Sequence, residues 1–136
     1  MCPIAYNSFA NTVTRLCVTS CPGGTYADFS IRQCVSTCAA IPALYSTTQG
    51  GNLCVANCTN GLFSNNATRS CVSNCPSGTY ADNSTYTCAA YCPTKPMMWA
   101  DNLTNSCVFS CSVTYDRYAD NSSRTCVVNC PSGTFA

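Results

Sequence analysis

Fifteen cysteines stand at positions 2, 17, 21, 34, 38, 54, 58, 71, 75, 88, 92, 107, 111, 126 and 130 of a 136-residue chain. After Cys2 they fall as seven C-x3-C pairs: 17/21, 34/38, 54/58, 71/75, 88/92, 107/111 and 126/130. The intervals between pairs hold 12, 15, 12, 12, 14 and 14 residues, and Cys2 to Cys17 holds 14, so the period is 17 to 20 residues. Repetition at such a period marks a repeat architecture. Modules this small bury almost no core and need covalent closure.

The text between cysteines repeats as well. Cys75-Pro76-Ser77-Gly78-Thr79-Tyr80-Ala81-Asp82 returns as Cys21-Pro22-Gly23-Gly24-Thr25-Tyr26-Ala27-Asp28 and begins again at Cys130. Eight residues before the closing cysteine stand Phe9, Tyr26, Phe63, Tyr80, Trp99 and Tyr118, with Tyr45 one residue early in the longest interval. Such a column can be a ligand-stacking ladder or one packing anchor per module covering a disulfide; the anchor is expected. A Gly-Thr-aromatic strand, an Asp-Asn-Ser/Thr turn and a returning Thr-Cys-Val strand read as a hairpin in each interval. A lone two-stranded hairpin is marginal in water.

Two disulfide patterns compete. Each C-x3-C can close on itself, or the second cysteine of one pair can bond the first of the next. The first leaves every interval untied. The second, Cys2–Cys17, Cys21–Cys34, Cys38–Cys54, Cys58–Cys71, Cys75–Cys88, Cys92–Cys107 and Cys111–Cys126, ties them all and orphans Cys130. Closing a loop of about 15 residues is worth about 3 kcal/mol in the chain-entropy model. The sequential pattern is therefore expected. The fold class that follows is small, disulfide-rich and mostly β. Single-disulfide hairpin modules at 2–17, 21–34, 38–54, 58–71, 75–88, 92–107 and 111–126 would stack into a rod with little or no helix, and a truncated eighth module would begin at 130. On this reading the chain, 1–136, is a window on a longer array whose leader peptide lies elsewhere.

The C-x3-C-P-x-G-T-Y repeat resembles the furin-like repeats and the growth-factor-receptor cysteine-rich domains. The resemblance implies C-x3-C-P hairpins bonded sequentially and stacked into a rod. The low charge and the Tyr-Ala-Asp-Asn phrasing resemble the large cysteine-rich surface proteins of ciliates and other protists. The denser two-disulfide modules that alternate in the receptor domains are absent, which weighs against a receptor role.

Composition narrows the chemistry. Charged residues are only 8% of the chain, with no Glu, no His and a net charge of +1, so there is no electrostatic footprint for nucleic acid. No run of 18 apolar residues is present to span a bilayer. This many cysteines belong to an oxidising compartment, so an extracellular or cell-surface location is expected. Zinc favours C-x2-C or mixed Cys/His sets, and neither occurs. A cysteine nucleophile has no histidine base. Asp28, Asp82, Asp101 and Asp120 each stand six residues before a closing cysteine, the phase of a turn cap rather than of an active site. No catalysis, cofactor or metal is expected.

Asparagine carries the modification signal. Acceptor triplets N-x-S/T occur at Asn57, Asn66, Asn83, Asn102 and Asn121. Asn66, Asn83, Asn102 and Asn121 share one phase, five residues before the closing cysteine, and are expected to carry glycans. Asn57 is the weaker acceptor, because its middle residue is Cys58. The expected role is a structural extracellular glycoprotein, a coat, stalk or filament subunit that self-associates or contacts neighbouring repeats. The alternative is a receptor or adhesin segment binding a protein or glycan through its aromatics. Its best site would be Pro93-Thr94-Lys95-Pro96-Met97-Met98-Trp99, which holds the only Lys and the only Trp, although an ordinary irregular turn is expected there.

Overall fold

The computed structural model describes residue 2 and residues 7–132; residues 3–6 of the first module and 133–136 of the truncated eighth lie outside the described set. Two strands fall in each interval, every one three residues long. They are β1 (Phe9–Asn11) and β2 (Leu16–Val18), β3 (Tyr26–Asp28) and β4 (Gln33–Val35), β5 (Tyr45–Thr47) and β6 (Leu53–Val55), and β7 (Phe63–Asn65) and β8 (Ser70–Val72). There follow β9 (Tyr80–Asp82) and β10 (Thr87–Ala89), β11 (Trp99–Asp101) and β12 (Ser106–Val108), and β13 (Tyr118–Asp120) and β14 (Thr125–Val127). Among the described residues there is no α-helix, only a single 3-10 turn at Val113–Tyr115. Seven disulfides close the hairpins: Cys2–Cys17, Cys21–Cys34, Cys38–Cys54, Cys58–Cys71, Cys75–Cys88, Cys92–Cys107 and Cys111–Cys126. Cys130 is free.

The hairpin register explains a column that the sequence reading passed over. The closing cysteine lies opposite the middle residue of the incoming strand: Ala10 faces Cys17, Ala27 faces Cys34, Ser46 faces Cys54 and Ala81 faces Cys88. Directly opposed side chains share a face at close range. A residue larger than Ala or Ser there would occupy the space of the disulfide. Ala100 opposite Cys107 and Ala119 opposite Cys126 keep the rule.

Each strand pair begins and ends in defined turns. In the Pro-x-Gly-Thr entry turn, the Thr79 N–H and hydroxyl both donate to the Pro76 carbonyl, at 3.0 and 2.7 Å, and Gly78 takes φ +84°. Thr25, Pro22 and Gly24 repeat that geometry. The hairpin tip ends in a left-handed residue two before the closing cysteine: Arg15, Arg32, Arg69, Tyr86, Asn105 and Arg124 have φ between 48° and 58°. A left-handed residue after a type I turn is a common way to match the right-handed twist of a hairpin.

The chain clusters into two compact units, one made of residues up to Asn60 with Ser64–Cys71, the other of Gly61–Phe63 with residues from Val72 onward. Within the first, the incoming strand of each module pairs in parallel with the returning strand of the next: β1 with β4, β3 with β6, and β5 with β8. Each contact carries a backbone bond from the small middle residue, Ala10 to Arg32 (2.9 Å), Ala27 to Asn52 (2.8 Å) and Ser46 to Arg69 (2.8 Å). The second unit repeats this with β9 on β12 and β11 on β14, where Ala81 donates to Asn105 (2.7 Å) and Ala100 to Arg124 (2.9 Å).

Apolar packing follows the same rule. Phe9 is buried against Cys21, Ala27 and Cys34, which belong to the module after its own. Phe63 is buried against Cys75, Ala81 and Cys88 in the same way. The expected anchor for a disulfide is present, but it covers the neighbour's disulfide rather than its own. Packing is therefore nearest-neighbour.

Candidate functional site

The hairpin tips hold the aspartates and the asparagines of the N-x-S/T triplets side by side. At each tip the last residue of the incoming strand accepts the N–H two residues on. Ser30 donates to Asp28 (2.9 Å), Ser84 to Asp82 (2.9 Å), Leu103 to Asp101 (3.0 Å) and Ser122 to Asp120 (3.0 Å). Asn11, Thr47 and Asn65 do the same for Val13 (3.0 Å), Gln49 (3.1 Å) and Ala67 (3.0 Å), so a carboxylate, a carboxamide or a hydroxyl serves equally. These are Asx and ST turns.

Local hydroxyls fill the remaining lone pairs. Ser122 and Ser123 donate to Asp120, which holds its carboxyl down to about 2, the Ser123 hydroxyl contributing most. At Asp82 burial pulls upward, but the hydroxyls and N–H groups of Ser84 and Thr85 together outweigh it, and the pKa is lowered. Carboxylates stabilised in the ionised form by their own turns are poor general acids. Asp101 also meets the Arg117 guanidinium at 3.2 Å, both side chains being nearly buried. Among the described residues no group of three or more His, Cys, Asp or Glu could hold a metal ion.

Asn66, Asn83, Asn102 and Asn121 each occupy the first position of a tip and are exposed. Asn57 is exposed too, but it adjoins buried Cys58, which is bonded to Cys71. Two of the four phased acceptors are touched by the preceding module. The Tyr45 hydroxyl donates to Asn66 Oδ1 at 2.6 Å, and the Tyr80 hydroxyl to Asn102 Oδ1 at 2.5 Å. In the first module pair the same position pairs Phe9 with Phe29 edge to face, with centroids 4.9 Å apart.

The sequence reading missed the arginines. Four of the five stand two residues before a closing cysteine, at Arg15, Arg32, Arg69 and Arg124. Three send their guanidinium back over the aromatic ring of the preceding module: Arg32 over Phe9 (5.1 Å), Arg69 over Tyr45 (4.7 Å) and Arg124 over Trp99 (5.4 Å). Arg69 also donates to the Ala39 carbonyl (2.7 Å), and Arg124 to Met98 (2.6 Å) and Pro93 (3.2 Å). The phase of the arginines in a chain this poor in charge was the available signal.

The segment Pro93–Trp99 is a turn closed by the Met98 N–H on the Pro93 carbonyl at 3.1 Å. Its counterpart closes Leu44 on Ala39 at 2.9 Å. Met98 is buried and Trp99 lies under Arg124, so neither forms an open recognition surface.

No helix among the described residues is long and apolar enough to cross a membrane. No known protein family, curated protein or solved structure matches the chain.

Proposed function

We propose that this chain is part of an extracellular structural glycoprotein, an array of disulfide-closed hairpins that serves as a surface coat, stalk or filament subunit. One observation carries the reading. Arg32, Arg69 and Arg124 each lie over a ring of the preceding module, Phe9, Tyr45 and Trp99, and Asp28, Asp82, Asp101 and Asp120 are occupied by their own turns. An adhesin's aromatic ladder would need a continuous run of open ring faces, and guanidinium groups over Phe9, Tyr45 and Trp99 interrupt the column.

Seven disulfides support an oxidising compartment. Glycans on the exposed tip asparagines would supply the solubility that a net charge of +1 does not. They would also shield short strand edges from pairing. Glycopeptide mass spectrometry of protein from its native source tests the reading. Sugar on at least two of Asn66, Asn83, Asn102 and Asn121 is expected; sugar on fewer overturns the glycoprotein proposal.

A further inference from the structure

The module pair around Tyr80 lacks the arginine that covers a ring elsewhere. The residue two before Cys107 is Asn105, so no guanidinium lies over Tyr80. Its ring instead lines an open cleft of about 260 Å³ with Tyr91, Thr94, Ala100, Thr125 and Arg124, whose guanidinium is turned onto Trp99. Tyr91 stands 89% exposed on that wall. A bare tyrosine beside a column ring with no guanidinium over it contrasts with Phe9, Tyr45 and Trp99, which are covered.

The same Tyr80 holds Asn102, since its hydroxyl donates to Asn102 Oδ1 at 2.5 Å. N-glycosylation uses Nδ2 and leaves Oδ1 as an acceptor, so this bond survives modification. It fixes the carboxamide beside the ring. A sugar attached there starts one tyrosine away from the cleft. Tyr45 makes the equivalent bond to Asn66, but Arg69 covers its ring. Tyr26 lacks an arginine on its ring too, since the next module carries Asn52, but that module has Gln49 in place of an acceptor asparagine. Among the described residues, Tyr80 alone joins a ring with no guanidinium over it to an acceptor asparagine.

We propose that the cleft between Tyr80 and Tyr91 is the seat of the first N-acetylglucosamine of a glycan on Asn102. This rests on the glycoprotein reading above. The volume lies below the range of about 300–1,000 Å³ that drug-sized ligands fill and suits a single sugar ring. The apolar face of the ring packs on tyrosine, while Thr94 and Thr125 also line the cleft. Attachment through Asn102 makes the seating intramolecular, so a weak contact is enough to populate it.

The test measures release of glycans from the folded, secreted glycoprotein by peptide-N-glycosidase, site by site, with glycopeptide mass spectrometry. Asn83 and Asn121 serve as internal references in the same molecules. Release at Asn102 is expected to be about fivefold slower than at either reference, the protection that burial of one apolar sugar face provides. Tyr91→Ala, at a largely exposed side chain, should bring Asn102 to the reference rate and leave Asn83 and Asn121 unchanged. Tyr80→Phe keeps the ring but removes the hydroxyl bond, and should give an intermediate rate. Equal release rates in the parent protein, no response to Tyr91→Ala, or a bare Asn102 beside glycosylated Asn83 and Asn121 would each overturn the seat and leave the glycoprotein reading standing. Absence of sugar at all four positions would overturn both.

Discussion

Replacing Arg124 with Ala removes three contacts that cross from one module to its predecessor. The guanidinium lies 5.4 Å from the Trp99 centroid and donates to Met98 at 2.6 Å and to Pro93 at 3.2 Å. A hydrogen bond from a charged group contributes about 1.5–3 kcal/mol, and a cation over an aromatic face about 0.5–2 kcal/mol depending on solvation. Arg124 is half-buried and its bond to Pro93 is long, so the lower ends apply and the loss is about 3 kcal/mol. The left-handed backbone at this position costs Ala as much as Arg, so it does not enter the difference. Amide hydrogen exchange reads the effect locally. The Ala100 N–H donates to the Arg124 carbonyl, and its exchange should accelerate on the order of 100-fold. The Ala81 N–H, bonded to Asn105 across an interface without arginine, is the internal control and should hold its rate. Arg124→Lys should behave nearly like Ala, because an ammonium lacks the planar fork that stacks on a ring while reaching two carbonyls. An Ala100 acceleration below about threefold, or full rescue by Lys, would refute the arginine clamp.

Three further outcomes follow from named contacts. Asp120→Asn should keep its Asx turn, as Asn11 and Asn65 do, but flatten the acid dependence of stability. The Asp120 pKa is lowered in the fold, so its stabilisation is complete above the ordinary carboxylate value of 3.8 and is lost as pH falls through about 2, which a thermal midpoint series across that window would record. Gly78→Ala meets no atom within 4 Å, so its cost is the φ of +84° alone, about 1 kcal/mol by denaturant titration. Non-reducing peptide mapping should recover the seven sequential bonds with Cys130 as the alkylatable thiol, and a peptide joining Cys17 to Cys21 would contradict it.

What lay open in the sequence was the part each module settles by itself. Cysteine spacing implies hairpin closure, because only sequential bonding ties every interval. The phase of Asp28, Asp82, Asp101 and Asp120 implies turn caps, since the cap reaches only two or three residues along the chain. What stayed hidden was the offset between modules. That offset hangs on backbone bonds such as Ala81 to Asn105, and a backbone amide leaves no trace in residue identity. Without the offset, Arg69 cannot be assigned to the ring of Tyr45, nor Tyr80 to Asn102, although 22 residues separate the latter pair. The small residue opposite each closing cysteine, from Ala10 to Ala119, was visible as a column but has meaning only once the disulfide is seen to fill that space.

The sequential disulfides have a mechanical consequence. A load pulling along the backbone reaches Cys75 and crosses to Cys88 through sulfur, over a Cα–Cα distance of 5.4 Å, so the hairpin between them never feels the tension. Only the four chain steps from Cys88 to Cys92 can be drawn out, roughly 14 Å at full extension. Each repeat can therefore lengthen to about 20 Å, against nearly 60 Å for the same 17 residues with the bond reduced. Oxidation turns the array from an extensible thread into a tether of fixed reach, and the non-covalent contacts between neighbours become the fuse that yields first.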